Sequence, residues 1–370
     1  APARLLASPV LLSARAVTVM LAFTSSALAL SVDVSITQFV ETPILSAQLN
    51  SDFAQVFNPS WVGGPKPGLI VRSQNCTAKP GECVKCSGSG SKASLLTFAE
   101  LIPSCGDGTN DTPCFYPVNA SSVVFGPHDA TDDYGTEDPR IAYEPSSGLY
   151  YMYYTCYNSG TTTQDRVTMC LATARDPTSA AGWTRHGPVG LPQDSKSGAL
   201  LVRPATVEDP NPEHILYWGA GTIHISRSRD LTKWPVGEPF ITNTTWGNPM
   251  VESGPPPMVL STGDFIFFHN SWTGNWPGPP GYQPAWVILS KDDPTKIIAR
   301  ASEPMWSPQK LSWMTGDAPA YCNQPNVAFL EAAHPTKDPD TFRVYFGGSD
   351  AVIGTAVIKV TIGDRSVEVA

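Results

Sequence analysis

Apolar positions along this chain come in short runs rather than long amphipathic stripes. Residues 68–72 read Gly-Leu-Ile-Val-Arg, 215–218 Ile-Leu-Tyr-Trp, 265–269 Phe-Ile-Phe-Phe-His and 342–346 Phe-Arg-Val-Tyr-Phe. The runs are rich in aromatic and β-branched residues and are bounded by Gly, Pro, Asn or Asp, the pattern of strands between turns. No amphipathic helix of convincing length follows the N-terminal region. The fold class read from this is all-β.

An internal repeat narrows the architecture. Residues 171–177 (Leu-Ala-Thr-Ala-Arg-Asp-Pro) lead to Trp183, residues 223–230 (Ile-His-Ile-Ser-Arg-Ser-Arg-Asp) lead to Trp234, and residues 286–294 run Trp-Val-Ile-Leu-Ser-Lys-Asp-Asp-Pro. Each copy is a strand ending in an Asp-containing turn, preceded at a short gap by another aromatic strand. The period, roughly 55–65 residues, suits a four-stranded propeller blade with its loops. The expectation is a five-bladed β-propeller over residues 30–370, with a cysteine-rich insertion in the first blade at about 74–118. Tandem sandwich domains are the competing architecture, but no linker or change of composition divides the chain.

Composition and charge remove several function classes. Gly and Pro total 66 residues without a collagen-like period, as many turns require. Charged residues are 15% of the chain, the net charge is −9, and no basic cluster occurs. Nucleic acid and anionic membrane surfaces are therefore poor partners. Arg15, the apolar run 16–23 and Ala27-Leu28-Ala29 form the three parts of a signal peptide over residues 1–29, too short and interrupted to span a bilayer comfortably. Secretion, or residence in the secretory lumen, is the expected localisation.

The eight cysteines agree with that compartment. Cys76, Cys83, Cys86, Cys105 and Cys114 cluster in one polar stretch, where disulfides are expected. Cys83 and Cys86 form a lone C-x-x-C without the second pair that zinc requires, so no metal and no cofactor is expected. Four N-x-S/T sequons, at Asn75, Asn110, Asn119 and Asn243, suit a glycosylated secretory protein.

Candidate chemistry centres on Glu137-Asp138-Pro139-Arg140, just before the aromatic strand 149–154. An extended backbone alternates its side chains, so Asp138 and Arg140 are expected on one face and Glu137 on the other. An acid beside a fixed cation at a strand start is a candidate catalytic group or a structural ion pair.

With further motifs the chain resembles glycoside hydrolase family 130, the five-bladed propellers that act on β-mannosides as phosphorylases or β-mannosidases. The resemblance runs from about Phe57 to Ala356. It rests on Phe57-Asn58-Pro59, the strand ending in Arg72, Glu137-Asp138-Pro139-Arg140-Ile141, Asp194-Ser195-Lys196, Gly254-Pro255-Pro256-Pro257, Phe268-His269, Gln324-Pro325-Asn326-Val327 and the segment 345–350 ending in Asp350. It implies that Asp138 is the general acid, acting through a substrate hydroxyl. It also implies that Asn58, Arg72 and Asp350 hold the sugar and that Lys196 and His269 contact phosphate in phosphorylases; Arg140, two residues after Asp138, is placed to hold it. Tyr154 or Trp246 could stack against a sugar ring.

Two departures from the family pattern bear on the attacking group. Leu216-Tyr217-Trp218-Gly219 and Pro257-Met258-Val259 lack cations that the phosphorylase pattern carries, and Glu252 replaces a glycine. Fewer cations and an added carboxylate suit water better than phosphate, with Glu252 as the general base of an inverting hydrolase and Glu137 as the other candidate. The expected function is a secreted β-mannoside hydrolase acting on a mannose-containing glycan. The alternatives are a mannoside phosphorylase, a non-catalytic carbohydrate-binding propeller, and activity on arabinan or fructan. Asn58, standing where the last of these would carry an aspartate, weighs against it.

Overall fold

The computed structural model describes residues 31–47, 53–74, 94–105, 112–158, 167–272, 281–317 and 324–363. The signal-like segment lies outside them, as do Cys76, Cys83, Cys86, Asn75 and Asn110. No described helix is long and apolar enough to cross a membrane.

Strand β1 (Val32–Phe39) opens the described chain. Blade one follows as β2 (Gln55–Val62), β3 (Gly68–Gln74), β4 (Leu95–Glu100) and β5 (Val123–Phe125). Blade two is β6 (Gly135–Glu144), β7 (Leu149–Tyr157), β8 (Val167–Ala174) and β9 (Trp183–Pro188). Blade three is β10 (Ala199–Leu201), β11 (His214–Trp218), β13 (Ile223–Ser228) and β14 (Glu238–Ile241). Between its strands, β12 (Ala220–Gly221) crosses to blade four. That blade comprises β15 (Met250–Ser253), β16 (Met258–Val259), β17 (Phe265–Trp272), β18 (Tyr282–Leu289) and β19 (Ile297–Arg300). Blade five is β20 (Ala328–Pro335), β21 (Thr341–Gly348) and β22 (Val352–Ile362), with β1 paired antiparallel to β22 as its outermost strand. Five sheets in a ring give the expected five-bladed propeller. The ring closes because a strand from the start of the described chain completes the blade built from its end.

Burial follows from this stacking. Blades pack face to face, so both faces of the middle strands are apolar; β11 and β21 are buried along their whole length. Between blades four and five, Phe268, Leu330, Phe342 and Phe346 share one cluster with Trp306 and Trp313.

The repeat seen in the sequence has a local cause. Asp176, Asp230 and Asp293 each accept from the backbone N–H two residues on, at Thr178 (3.0 Å), Thr232 (2.8 Å) and Thr295 (3.1 Å). This Asp-x-Thr turn follows the third strand in blades two, three and four and leads to the outer strand. The expected insertion in the first blade includes a blade strand. Strand β4 lies within it, and residues 75–93 before that strand lie outside the described ones. Cys105 is bonded to Cys114, and Cys156 to Cys170 across β7 and β8.

The innermost strands are β2, β6, β10, β15 and β20. Three of them bulge: β2 between Phe57 and Pro59, β6 between Glu137 and Arg140, and β20 between Leu330 and Ala332. Bulges turn side chains away from simple alternation.

Candidate active site

The bulges gather the candidate residues. Asn58 and Asp138 sit in them with φ of 45° and 48°, the left-handed region that Asn and Asp enter at least cost. Because Asp138 is left-handed, Glu137 and Asp138 face the same way, not opposite ways. Arg72, one strand out on β3, grips both. Its Nη1 donates to Asp138 Oδ1 at 2.9 Å and its Nη2 to Glu137 Oε1 at 2.5 Å. Arg72 Nε donates to Ser94 Oγ at 2.9 Å, and the Phe57 ring lies 4.7 Å from the guanidinium carbon.

This fork separates the two acids electrostatically. Burial pushes both pKa values up. For Asp138 the charges of Arg72, Lys196 and Arg140 outweigh burial and hold the carboxyl below its usual value. For Glu137 burial wins, reinforced by Asp138, and the pKa is raised. The resting pair therefore keeps Asp138 ionised and gives Glu137 the first claim on a proton.

A second acid–base cluster faces it from blades three and four. Glu252, on β15, is 2% exposed. Its Oε1 lies 3.1 Å from Lys196 Nζ and accepts a short bond from Ser197, while its Oε2 accepts from Tyr282 OH at 3.0 Å. Three partners fix this carboxylate: Lys196 and Ser197 from the loop before β10, and Tyr282 from β18. Burial lowers the Lys196 pKa, but Glu252 and Asp138 more than reverse this and raise it, so its ammonium stays charged. Gly254 makes the sharp exit after Glu252 possible; a Cβ there would stand 2.5 Å from Phe268 O.

Asp350, in the left-handed turn after β21, completes the group. Burial pushes its pKa up to about 6, against the pull of Arg72 and with further upward pressure from Asp138. A carboxyl with a folded pKa above its unfolded value binds protons more tightly when folded. Its contribution is intact below about pH 4 and is lost as pH rises through 6. Asp350→Asn is accordingly expected to raise the melting temperature at pH 7 and to change it little at pH 4. Thermal melts at the two pH values check this; an equal shift at both would contradict the assignment.

Other residues singled out from the sequence take different places. Arg140 has no exposed side-chain surface, so it lies beneath the site and not in its lining. It holds the backbone of Asp138, donating from Nη1 to Asp138 O at 2.9 Å, rather than the carboxylate. His269 is 3% exposed on β17, and burial together with Arg300 lowers its pKa to about 4, so at neutral pH it is an uncharged imidazole. Tyr154 is buried, its hydroxyl donating to Asp132 at 3.3 Å in a cluster with Arg185, so it offers no face to a sugar. Trp246 is half-buried. Tyr282, Ser197 and Glu331 were not picked out from the sequence. Of these only Glu331 carries a signal there, as a lone carboxylate inside the apolar run Phe329-Leu330-Glu331-Ala332.

Comparison with known proteins gives the arrangement its relatives. The profile of the Glyco_hydro_130 family, described as beta-1,4-mannooligosaccharide phosphorylase, matches residues 116–362. The chain belongs to glycoside hydrolase family 130. Within it, the chain is 34% identical over 229 residues to a 1,2-beta-oligomannan phosphorylase of Thermoanaerobacter sp. (strain X514), covering 61% of this chain and 69% of that one. The fold is also that of the beta-1,2-mannobiose phosphorylase of Listeria innocua in its β-1,2-mannobiose complex. There the TM-score is 0.65 at 15% identity, with 88% of this chain and 97% of that chain covered. A further family 130 structure, from work on family members that hydrolyse β-1,2-mannosidic linkages in Candida mannan, superposes with TM-score 0.60 at 20% identity over 87% and 90% of the two chains.

Family membership gives the two missing cations different weights. The turn Trp218-Gly219 does border the site: Gly219 N–H donates to Lys196 O at 2.8 Å, and Ala220 pairs with Glu252. Val259 does not. It pairs with Phe265, four residues from His269 along β17 and so about 13 Å away.

Proposed function

We propose that this protein cleaves β-mannosidic bonds, with Asp138 as the proton donor and Arg72, Asn58 and Asp350 around the bound mannosyl unit. The observation carrying this reading is the forked contact of Arg72 with Glu137 and Asp138 in a family 130 propeller. Asp138 is ionised at rest. An acid must hold a proton when the bond breaks, and substrate entry supplies the cause, because expulsion of water raises a carboxyl pKa.

Phosphate is the acceptor that the relatives support best, since the profile and the Thermoanaerobacter relative are both described as phosphorylases. Lys196 is the cation available to it, and an entering anion would raise the Asp138 pKa further. Water is the second reading, and charge balance favours it. Among the described residues, Glu137, Asp138, Glu252 and Asp350 are four carboxyls acted on by Arg72, Lys196 and, from beneath, Arg140, and Lys196 is already paired with Glu252. In that reading Glu252 is the base.

Incubation with a panel of β-mannooligosaccharides, with and without phosphate, tests both readings. Phosphorolysis predicts mannose 1-phosphate and no turnover without phosphate. Free mannose at a phosphate-independent rate would select water. No cleavage under either condition would reject the function and leave a carbohydrate-binding propeller. Secretion remains part of the proposal, supported by the two disulfides of the described chain.

A further inference from the structure

Beneath the reactive carboxylates lies a buried ion pair. Glu331, on β20, and Arg140, on β6, have no exposed side-chain surface, and Arg140 Nη1 stands 2.8 Å from Glu331 Oε1. Glu331 Oε2 accepts a short bond from Asn58 Nδ2. Arg140 donates to Asp138 O at 2.9 Å and to Ser253 O, next to Glu252, at 3.0 Å. One ion pair thus ties together four of the five inner strands at the level of the bulges.

Burying two charges this way is costly, and an apolar pair of similar volume would hold the core as well or better. What an apolar pair would not do is hold the backbone. Asn58 and Asp138 are the residues of β2 and β6 in the left-handed region, a conformation that persists only when its surroundings over-determine it. Glu331 grips the side chain of one, and its partner Arg140 grips the carbonyl of the other.

We propose that Glu331 is a positioning residue: through Asn58 and Arg140 it holds Asn58 and Asp138 in the left-handed conformations that aim them into the site. This rests on the reading of Asp138 as the proton donor. It also explains why a buried carboxyl, held by Arg140 and Asn58, stays inside an apolar strand. Glu331 further forms part of the wall of a cavity of about 630 Å³, lined by Ser60, Trp61, Ile141 and Tyr143. These residues lie two to five positions beyond Asn58 and Asp138 on the same strands, so Glu331 links the wall of that cavity to Asn58.

The test is a graded pair of variants. Glu331→Gln keeps an acceptor for Asn58 but loses the charge, and is expected to lower kcat about tenfold. Arg140→Met combined with Glu331→Leu removes the buried charges together. It is expected to fold, to lower kcat at least about 100-fold, and to shift the pH profile to higher pH, because Asp138 loses its alignment with Arg72. Crystal structures of both variants read the same claim without turnover: in the double variant Asn58 and Asp138 should leave the left-handed region. A folded double variant with kcat within about threefold of wild type, or with both residues still at φ near +45°, overturns the proposal. If the double variant does not fold, an unchanged kcat in Glu331→Gln does so. If the wild type cleaves no β-mannoside, the functional reading fails by itself and the crystallographic outcome still decides the role of Glu331.

Discussion

Asp138→Asn is expected to lose about 10²–10⁴-fold in kcat/KM on a β-mannooligosaccharide, equivalent to about 3–5 kcal/mol of transition-state stabilisation, with the fold intact. Asparagine has the same shape, tolerates the left-handed φ of 48°, and keeps an oxygen to accept from Arg72. It cannot carry the proton. The effect should depend on the leaving group: an aryl β-mannoside, whose phenolate leaves without protonation, should lose less than tenfold. That contrast separates loss of the acid from misfolding, which would depress both substrates equally. Retention of full activity on the oligosaccharide would sink the mechanism, whichever acceptor is used.

Arg72→Met is expected to lose about 10³-fold in activity, near the upper end for removal of one positioned electrostatic group. It should also destabilise the protein by about 3–5 kcal/mol at pH 8, because two largely buried carboxylates are left side by side without their cation. The destabilisation should shrink at lower pH. Without Arg72 the folded pKa values of Glu137 and Asp138 both lie above the unfolded ones, so the folded state regains its proton-linked stability as pH falls through them. Arg72→Lys should not rescue activity, since one ammonium cannot match the guanidinium fork on Glu137, Asp138 and Ser94. Denaturant melts at pH 5 and pH 8 measure the first claim. A destabilisation independent of pH would mean that Arg72 acts by packing on Phe57 and not by its charge.

The propeller was legible because its physics is local and repeated. Short β-branched and aromatic runs specify strands, and an aspartate two residues before a threonine specifies the turn after the third strand of three blades. The same logic failed within the site. Alternation along an extended strand sets Glu137 apart from Asp138, but one left-handed residue at a bulge brings them onto a single arginine. Alternation likewise puts Arg140 beside the Asp138 carboxylate, whereas it lies beneath, paired with a glutamate almost 200 positions away.

By itself, then, the sequence determined the strands, the turns between them and, through its repeat and motifs, the family 130 propeller, because these depend on neighbours a few residues apart. Only the tertiary structure decided which charges meet. Whether Lys196 is free or held by Glu252, whether Asp138 or Glu137 keeps the proton, and whether Arg140 faces a sugar or a buried Glu331 all depend on three bulges converging from different blades. Burial then sets the energy of each charge, and burial is a property of the closed ring of blades that no single stretch of the chain carries.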